Sequence, residues 1–221
     1  MSAELLQLIL NAALETLWMV AVSGGIAMAL GLPLGVFLAT SGRGELFAAP
    51  LANRLLGLVV NVTRSTPFII LVVAIIPFTR LVAGTSIGTN AAIVPLTVAA
   101  TPFIARLIET AIREVDPGLV EAARAIGARP LQIVTKVLIP EAVPTIVLSM
   151  TLAIVSLIGF SAMVGAVGGG GLGDLGIRYG YQRFMPETMA VVVVVLVALV
   201  QAVQSAGERL ARRLNRRIRH A

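Results

Sequence analysis

Apolar residues run without a single charge over 16–41 and again over 142–167, and three further stretches are nearly as apolar. A helix needs about 20 predominantly apolar residues to cross the hydrocarbon of a bilayer. By that measure the chain carries five spans, at about 14–39, 55–79, 87–108, 142–166 and 186–206. Helices are the form expected, because an open strand edge in lipid leaves backbone groups unpaired. The alternation of a membrane β-barrel is absent. Pro33, Pro67, Pro95, Pro102 and Pro144 fall inside the spans, and kinks are expected there.

Composition strengthens this reading. The 221 residues are 57% hydrophobic and 13% charged, against about 25% charged in a soluble domain. The expected fold class is therefore an all-α integral membrane protein. Residues 1–13 have no basic segment and carry Glu4, so a cleaved signal is not expected and the first span stays in the chain.

Charge then sets an orientation. Arg43 and Arg54, then Arg106, Arg113, Arg124, Arg129 and Lys136, then Arg209, Arg212, Arg213, Arg216, Arg217 and Arg219 fall in segments on one side. The other side holds only Arg80, Arg178 and Arg183. Basic loops stay in the cytoplasm, so the amino terminus is expected outside and the carboxyl terminus inside. The arginine-rich tail, 207–221, reads as an orientation signal and a contact for anionic lipid. Nucleic-acid binding is not expected, because no folded reader module accompanies the charge.

Residues 167–176, VGGGGLGDLG, contain a literal G-x-G-x-x-G at Gly171, Gly173 and Gly176. That spacing cradles a pyrophosphate only where a strand leads into a helix. Here it joins the fourth and fifth spans on the expected outer face, with no strand before it, so nucleotide binding is excluded. The glycines supply backbone freedom, either for a mobile outer element or for a plain helix-ending loop.

The segment between spans three and four is polar but patterned. Asp116 and Pro117 suit a helix start and Gly127 suits its end, which predicts a helix of about ten residues. Leu119, Ala122, Ala123 and Ile126 gather on one side of it and Glu121 and Arg124 on another. Read alone, it is an amphipathic helix lying on headgroups.

Residues 121–140, EAARAIGARPLQIVTKVLIP, resemble the EAA loop of ABC-importer permeases, with Glu121, Ala122, Ala123, Gly127 and a closing Pro140. TRSTPFIILV (63–72), GFSAMVGAVGGGGLGDLG (159–176) and YGYQ (179–182) resemble the methionine-uptake members of that family. The resemblance implies a type I permease over 12–206, with a coupling helix at 116–129 that fits a cytosolic ATPase. It implies transport of methionine or another small solute across a bacterial inner membrane. It further implies two copies of this chain, two ATP-binding subunits carrying ATP and Mg²⁺, and an extracytoplasmic methionine-binding protein. No cofactor is expected in this chain.

No residue set resembles a catalytic centre or a metal site. Cysteine is absent and the one histidine, His220, is the penultimate residue. A membrane hydrolase would need a Ser-His or metal pair, and a secondary transporter would need intramembrane carboxylates. Arg64, inside the second span, is an intramembrane charge with two readings, a functional site or a side chain snorkelling to the interface. Glu109 and Glu141 are its candidate partners. Phe160, Met163, Gly159 and Gly165 fall near the outer end of span four, where they either line or gate a path or serve helix packing.

Overall fold

A computed structural model describes residues 3–214. Among them there are helices and no strands. Helix α1 spans Ala3–Thr40, α2 Pro50–Ser65, α3 Phe68–Ala74, α4 Ile76–Ala83 and α5 Thr89–Arg113. Then come α6 (Pro117–Ala125), α7 (Pro130–Ile133), α8 (Ile139–Gly165), α9 (Gly171–Leu175) and α10 (Pro186–Leu214).

Four helical runs among the described residues are long and apolar enough to cross a membrane, and there are five where the bent pair α2 plus α3 is counted as one span. Each differs from expectation at an edge. Helix α1 begins at Ala3 rather than 14, because Leu5, Ile9 and Ala12 extend its buried face. Helix α10 continues to Leu214, so Arg209, Arg212 and Arg213 of the expected tail lie on its last turns. Arg216, Arg217, Arg219 and His220 lie outside the described residues.

The second span is corrected most. Instead of one kinked helix over 55–79, α2 ends at Ser65 and α3 leaves at 105°. Pro67 lacks the N–H needed to continue α2 and restricts Thr66 to the extended region, where φ is −80° and ψ 125°.

The centre of the bundle is the pair α1 and α5, crossed by α8. Gly31 and Gly35 form a G-x-x-x-G face on α1 against α5. A Cβ on Gly31 would stand 2.8 Å from the Ile104 side chain, and one on Gly35 would stand 2.5 Å from the Ala105 carbonyl. Small residues bring membrane helices into van der Waals contact where lipid supplies no hydrophobic drive. Met19, Leu96, Ile104, Ile108 and Leu157 fill the core around that contact.

Helices α7 and α8 form one apolar run, Pro130–Gly165, joined by a π-helical turn at Val134–Leu138. Pro140 has no N–H for the carbonyl four residues earlier. The widened turn absorbs that defect, and Ile139 N–H bonds to the Val134 carbonyl. The helical run that contains 142–166 therefore starts about a dozen residues before 142, inside the segment that resembles the EAA loop.

Residues 167–185, expected as a loop, are mostly helical. Helix α9 runs into a second π-helical turn, Gly176–Gln182, and this short element is packed against α8, α1 and α10. Leu172 and Leu175 are buried in it with Ile9, Ala12 and Val192.

Candidate functional site

Helix α6 is closed at both ends by its own sequence. The Asp116 carboxylate accepts the Gly118 N–H at 2.8 Å, and Pro117 occupies the first turn. At the other end Gly127 takes φ +79°. Its N–H bonds to the Arg124 carbonyl at 2.9 Å, while Ala128 N–H bonds to Ala123 at 3.0 Å. This pair of reversed bonds satisfies carbonyls that the helix would otherwise leave free. Arg129 N–H then donates to the Gln132 side chain at 2.9 Å and starts α7.

Only Ala123 of α6 is buried, against the π turn of 134–138. The side that carries Leu119 and Ile126, 41% and 85% exposed, faces outward, as does Leu131 at 65%. Exposed apolar side chains on a helix outside the spans mark a surface for a partner. Ala122 lies on the same face, and Gly127 and Pro140 are exposed. Glu121 and Arg124 line a cleft of about 330 Å³ with Arg43 and Arg113.

Behind α6 an ion-pair network joins three helices. Glu109 of α5, whose side chain is 9% exposed, receives Arg106 at 2.5 Å and Arg113 at 3.2 Å. Arg106 also donates to Asn61 of α2 at 2.6 Å, and Arg113 to the Leu38 carbonyl at the end of α1 at 3.2 Å. Sequence reasoning missed this network, although the spacing Arg106, Glu109, Arg113 puts the three on one helix face. Glu109→Ala leaves two guanidinium groups facing each other. A loss of about 2 kcal/mol is expected, below that of a fully buried pair because Arg113 is half exposed. Thermal unfolding of the purified chain in detergent measures it, and an unchanged midpoint sinks the assignment.

Arg64 is in the last turn of α2, beside the break, and is exposed. Glu109, one expected partner, is engaged by Arg106 and Arg113 instead. Arg64 makes no ion pair among the described residues. Its Cζ lies 6.0 Å from the centre of the Phe103 ring.

The residues expected near the outer end of span four separate. Phe160 stacks on Phe68 of α3, with ring centroids 4.5 Å apart and planes 17° from parallel. Met163 and Gly159 stand on an open stripe of α8 with Leu148 and Leu152. Gly165 does not line that stripe: it is buried under α9, where a Cβ would overlap the backbone of Gly173 and Asp174. The glycine fingerprint also finds its physical meaning here. Gly171 N–H does bind an anion, but it is the carboxylate of Glu15, at 2.7 Å, and Leu172 N–H bonds to the Thr16 hydroxyl at 2.9 Å. Neither α1 residue stood out in the sequence. Among the described residues no group of His, Asp or Glu could hold a metal ion.

A bundle of apolar helices that holds a short, capped helix outside the apolar runs, with Leu119 and Ile126 exposed on it, has the outline of an integral membrane transport component. The chain belongs to the family of binding-protein-dependent transport system inner membrane components, whose profile matches residues 31–220. It is 57% identical over 210 residues to a probable D-methionine transport system permease protein of Vibrio cholerae, covering 95% of this chain and 93% of that one. The corresponding protein of Escherichia coli K12 is 50% identical over 165 residues, 75% of this chain and 76% of that one. Among solved structures, a chain of the inward-facing MetNI methionine ABC transporter superposes with a TM-score of 0.95 at 50% identity, over 98% of this chain and 100% of that one. A chain of an amino acid ABC transporter solved with histidines shares the fold at a TM-score of 0.78 and 20% identity, over 94% of each chain.

Proposed function

We propose that this chain is the permease subunit of an ATP-driven methionine importer, and that α6 is where ATP hydrolysis is felt. The observation that carries the coupling role is the outward apolar face of Leu119, Ala122 and Ile126 on a helix closed at both ends. The likeness to methionine permeases of two bacteria supports the substrate. In this reading the α6 end faces the cytoplasm, the amino terminus is outside, and two copies enclose the pathway. Two ATP-binding subunits bind the α6 helices, and a methionine-binding protein docks at the opposite end. ATP and Mg²⁺ belong to the ATP-binding subunits.

The permease subunit contributes motion rather than bond chemistry. Closure of the ATPase dimer displaces α6, and α6 is packed on the start of the Pro130–Gly165 run. That run carries Phe160 and Met163, which line the path, at its far end. Hydrolysis thereby biases two packings of one bundle through contacts made differently in each. Glu121 anchors the ATPase by a hydrogen bond or ion pair.

Proteoliposomes containing this chain, its ATPase and the binding protein should take up radiolabelled methionine only with ATP inside the vesicle system. Unlabelled methionine should suppress uptake, while glutamine and glycine betaine should not. ATP hydrolysis without methionine movement would remove the substrate assignment.

A further inference from the structure

Helix α6 has two flanks, and the coupling role uses one of them. Leu119, Ala122 and Ile126, three and four residues apart, make the outward apolar stripe. Pro117, Glu121 and Arg124 recur at helical spacing on the other side of the same helix. That second stripe is one wall of the cleft of about 330 Å³, and the facing wall is Arg43, Gly44 and Glu45 of the loop between α1 and α2. The floor is apolar and buried, with Ile112, Val115 and Leu138.

The charges of the cleft do not cancel within the chain. Arg113 is committed to Glu109 at 3.2 Å and to Glu45 at 3.8 Å. Arg43 and Arg124 make no ion pair among the described residues. Against these two cations the cleft sets a single uncommitted carboxylate, Glu121, so positive charge is in excess. The loop that carries Arg43 is also fixed before any partner arrives. Phe47 N–H bonds to the Thr40 carbonyl at 2.9 Å and Ala49 N–H to the Ser41 carbonyl at 3.0 Å. Asn53, at the start of α2, donates to the Leu38 carbonyl at 2.8 Å and to the Ser41 hydroxyl at 3.0 Å. A wall held in this way loses little ordering entropy when something binds to it.

We infer that the cleft between the α1–α2 loop and α6 is a second contact for the ATP-binding subunit, and that it takes a carboxylate-bearing segment of that subunit on Arg43 and Arg124. This rests on the docking of the ATPase at α6 proposed above. A groove that receives a helix touches both of its flanks, so a partner seated on Leu119 and Ile126 brings its opposite rim to the cleft. The charge excess selects a carboxylate, which a guanidinium fork binds through two parallel hydrogen bonds. The apolar floor lowers the local dielectric and strengthens that pairing. Through the loop, the ATPase then holds the end of α1 as well as α6.

The chain has no cysteine, so Arg43→Cys and Ile126→Cys each carry a single thiol. In proteoliposomes of the chain alone, a water-soluble maleimide should label both, and the ATP-binding subunit at saturating concentration should slow labelling at both. Arg43→Glu should weaken binding of that subunit about tenfold or more, the worth of one charge-assisted contact, while Arg43→Lys should keep most of it. Full-rate labelling of Arg43→Cys beside a protected Ile126→Cys overturns the cleft contact and leaves the docking of α6 standing. Unchanged binding by Arg43→Glu overturns it as well. Protection of Arg43→Cys by phosphatidylglycerol-rich vesicles without the ATP-binding subunit overturns it in favour of a lipid headgroup. Labelling at full rate at both positions fails at the earlier step, the docking of the ATPase on α6. Should the Arg43 variants fail to accumulate, phenylglyoxal modification of the wild-type chain is read at Arg43 by mass spectrometry instead. Equal modification with and without the ATP-binding subunit overturns the proposal.

Discussion

Glu121→Lys combined with Gly127→Val should abolish methionine uptake while the chain still inserts normally into the membrane. Gly127 sits at φ +79°, where a β-branched residue is strained by about 1–2 kcal/mol or more. Relief of that strain opens the two bonds that close α6, from Gly127 to Arg124 and from Ala128 to Ala123. The helix end then unwinds, and the Leu119 and Ile126 face no longer holds one orientation toward a partner. Charge reversal at Glu121 adds a cation beside Arg43, Arg113 and Arg124 in the same cleft. Neither residue lies in a span, so membrane insertion should not suffer. The measurement is methionine moved per ATP hydrolysed in proteoliposomes, and the ratio should collapse by more than about tenfold. Normal uptake in the double variant would defeat the coupling role of α6.

Gly173→Val should prevent the chain from accumulating at all. A Cβ on Gly173 would fall within the backbone of Ala162, and one on Gly165 within the backbone of Gly173 and Asp174. Backbone has no rotamer with which to yield, so α9 must lift away from α8. That movement exposes Leu172 and Leu175, each worth about 2 kcal/mol of burial, and breaks the bonds from Gly171 and Leu172 to Glu15 and Thr16. Two buried donors left bare add about 1–3 kcal/mol each. The sum approaches the entire stability of a small domain, about 5–15 kcal/mol. Gly57→Ala is the control, because nothing stands within 4 Å of the added atom there. Equal membrane levels and equal unfolding midpoints for Gly173→Val and the control would refute the argument.

The contrast between these two regions shows what the sequence could tell. Residues 16–41 and 142–167 announce themselves because a bilayer demands a continuous apolar run, and α1 and α8 contain them. The ends of α6 were legible because Asp116, Pro117 and Gly127 act locally, through hydrogen bonds within a few residues. Residues 171–182 were not, because their helical state depends on Glu15 and Thr16, 156 residues away in the chain. Hydropathy averaging likewise merges α2 and α3, since both are apolar. Pro67 signals a kink, but not its 105° size or the stacking of Phe68 on Phe160 that lies just beyond it. Of the two carboxylates expected near Arg64, Glu109 is taken by Arg106 and Arg113, which lie on the same helix and reach it first.

The unbroken run from Pro130 to Gly165 has a mechanical consequence. At 36 residues it is about 54 Å long. If it pivots at its midpoint, a tilt of about 10° carries each tip through about 5 Å. In the import cycle proposed above, a nudge of one helical turn at the α6 end would reach Phe160 and Met163 in the opposite direction, so that the run acts as a seesaw between the two ends.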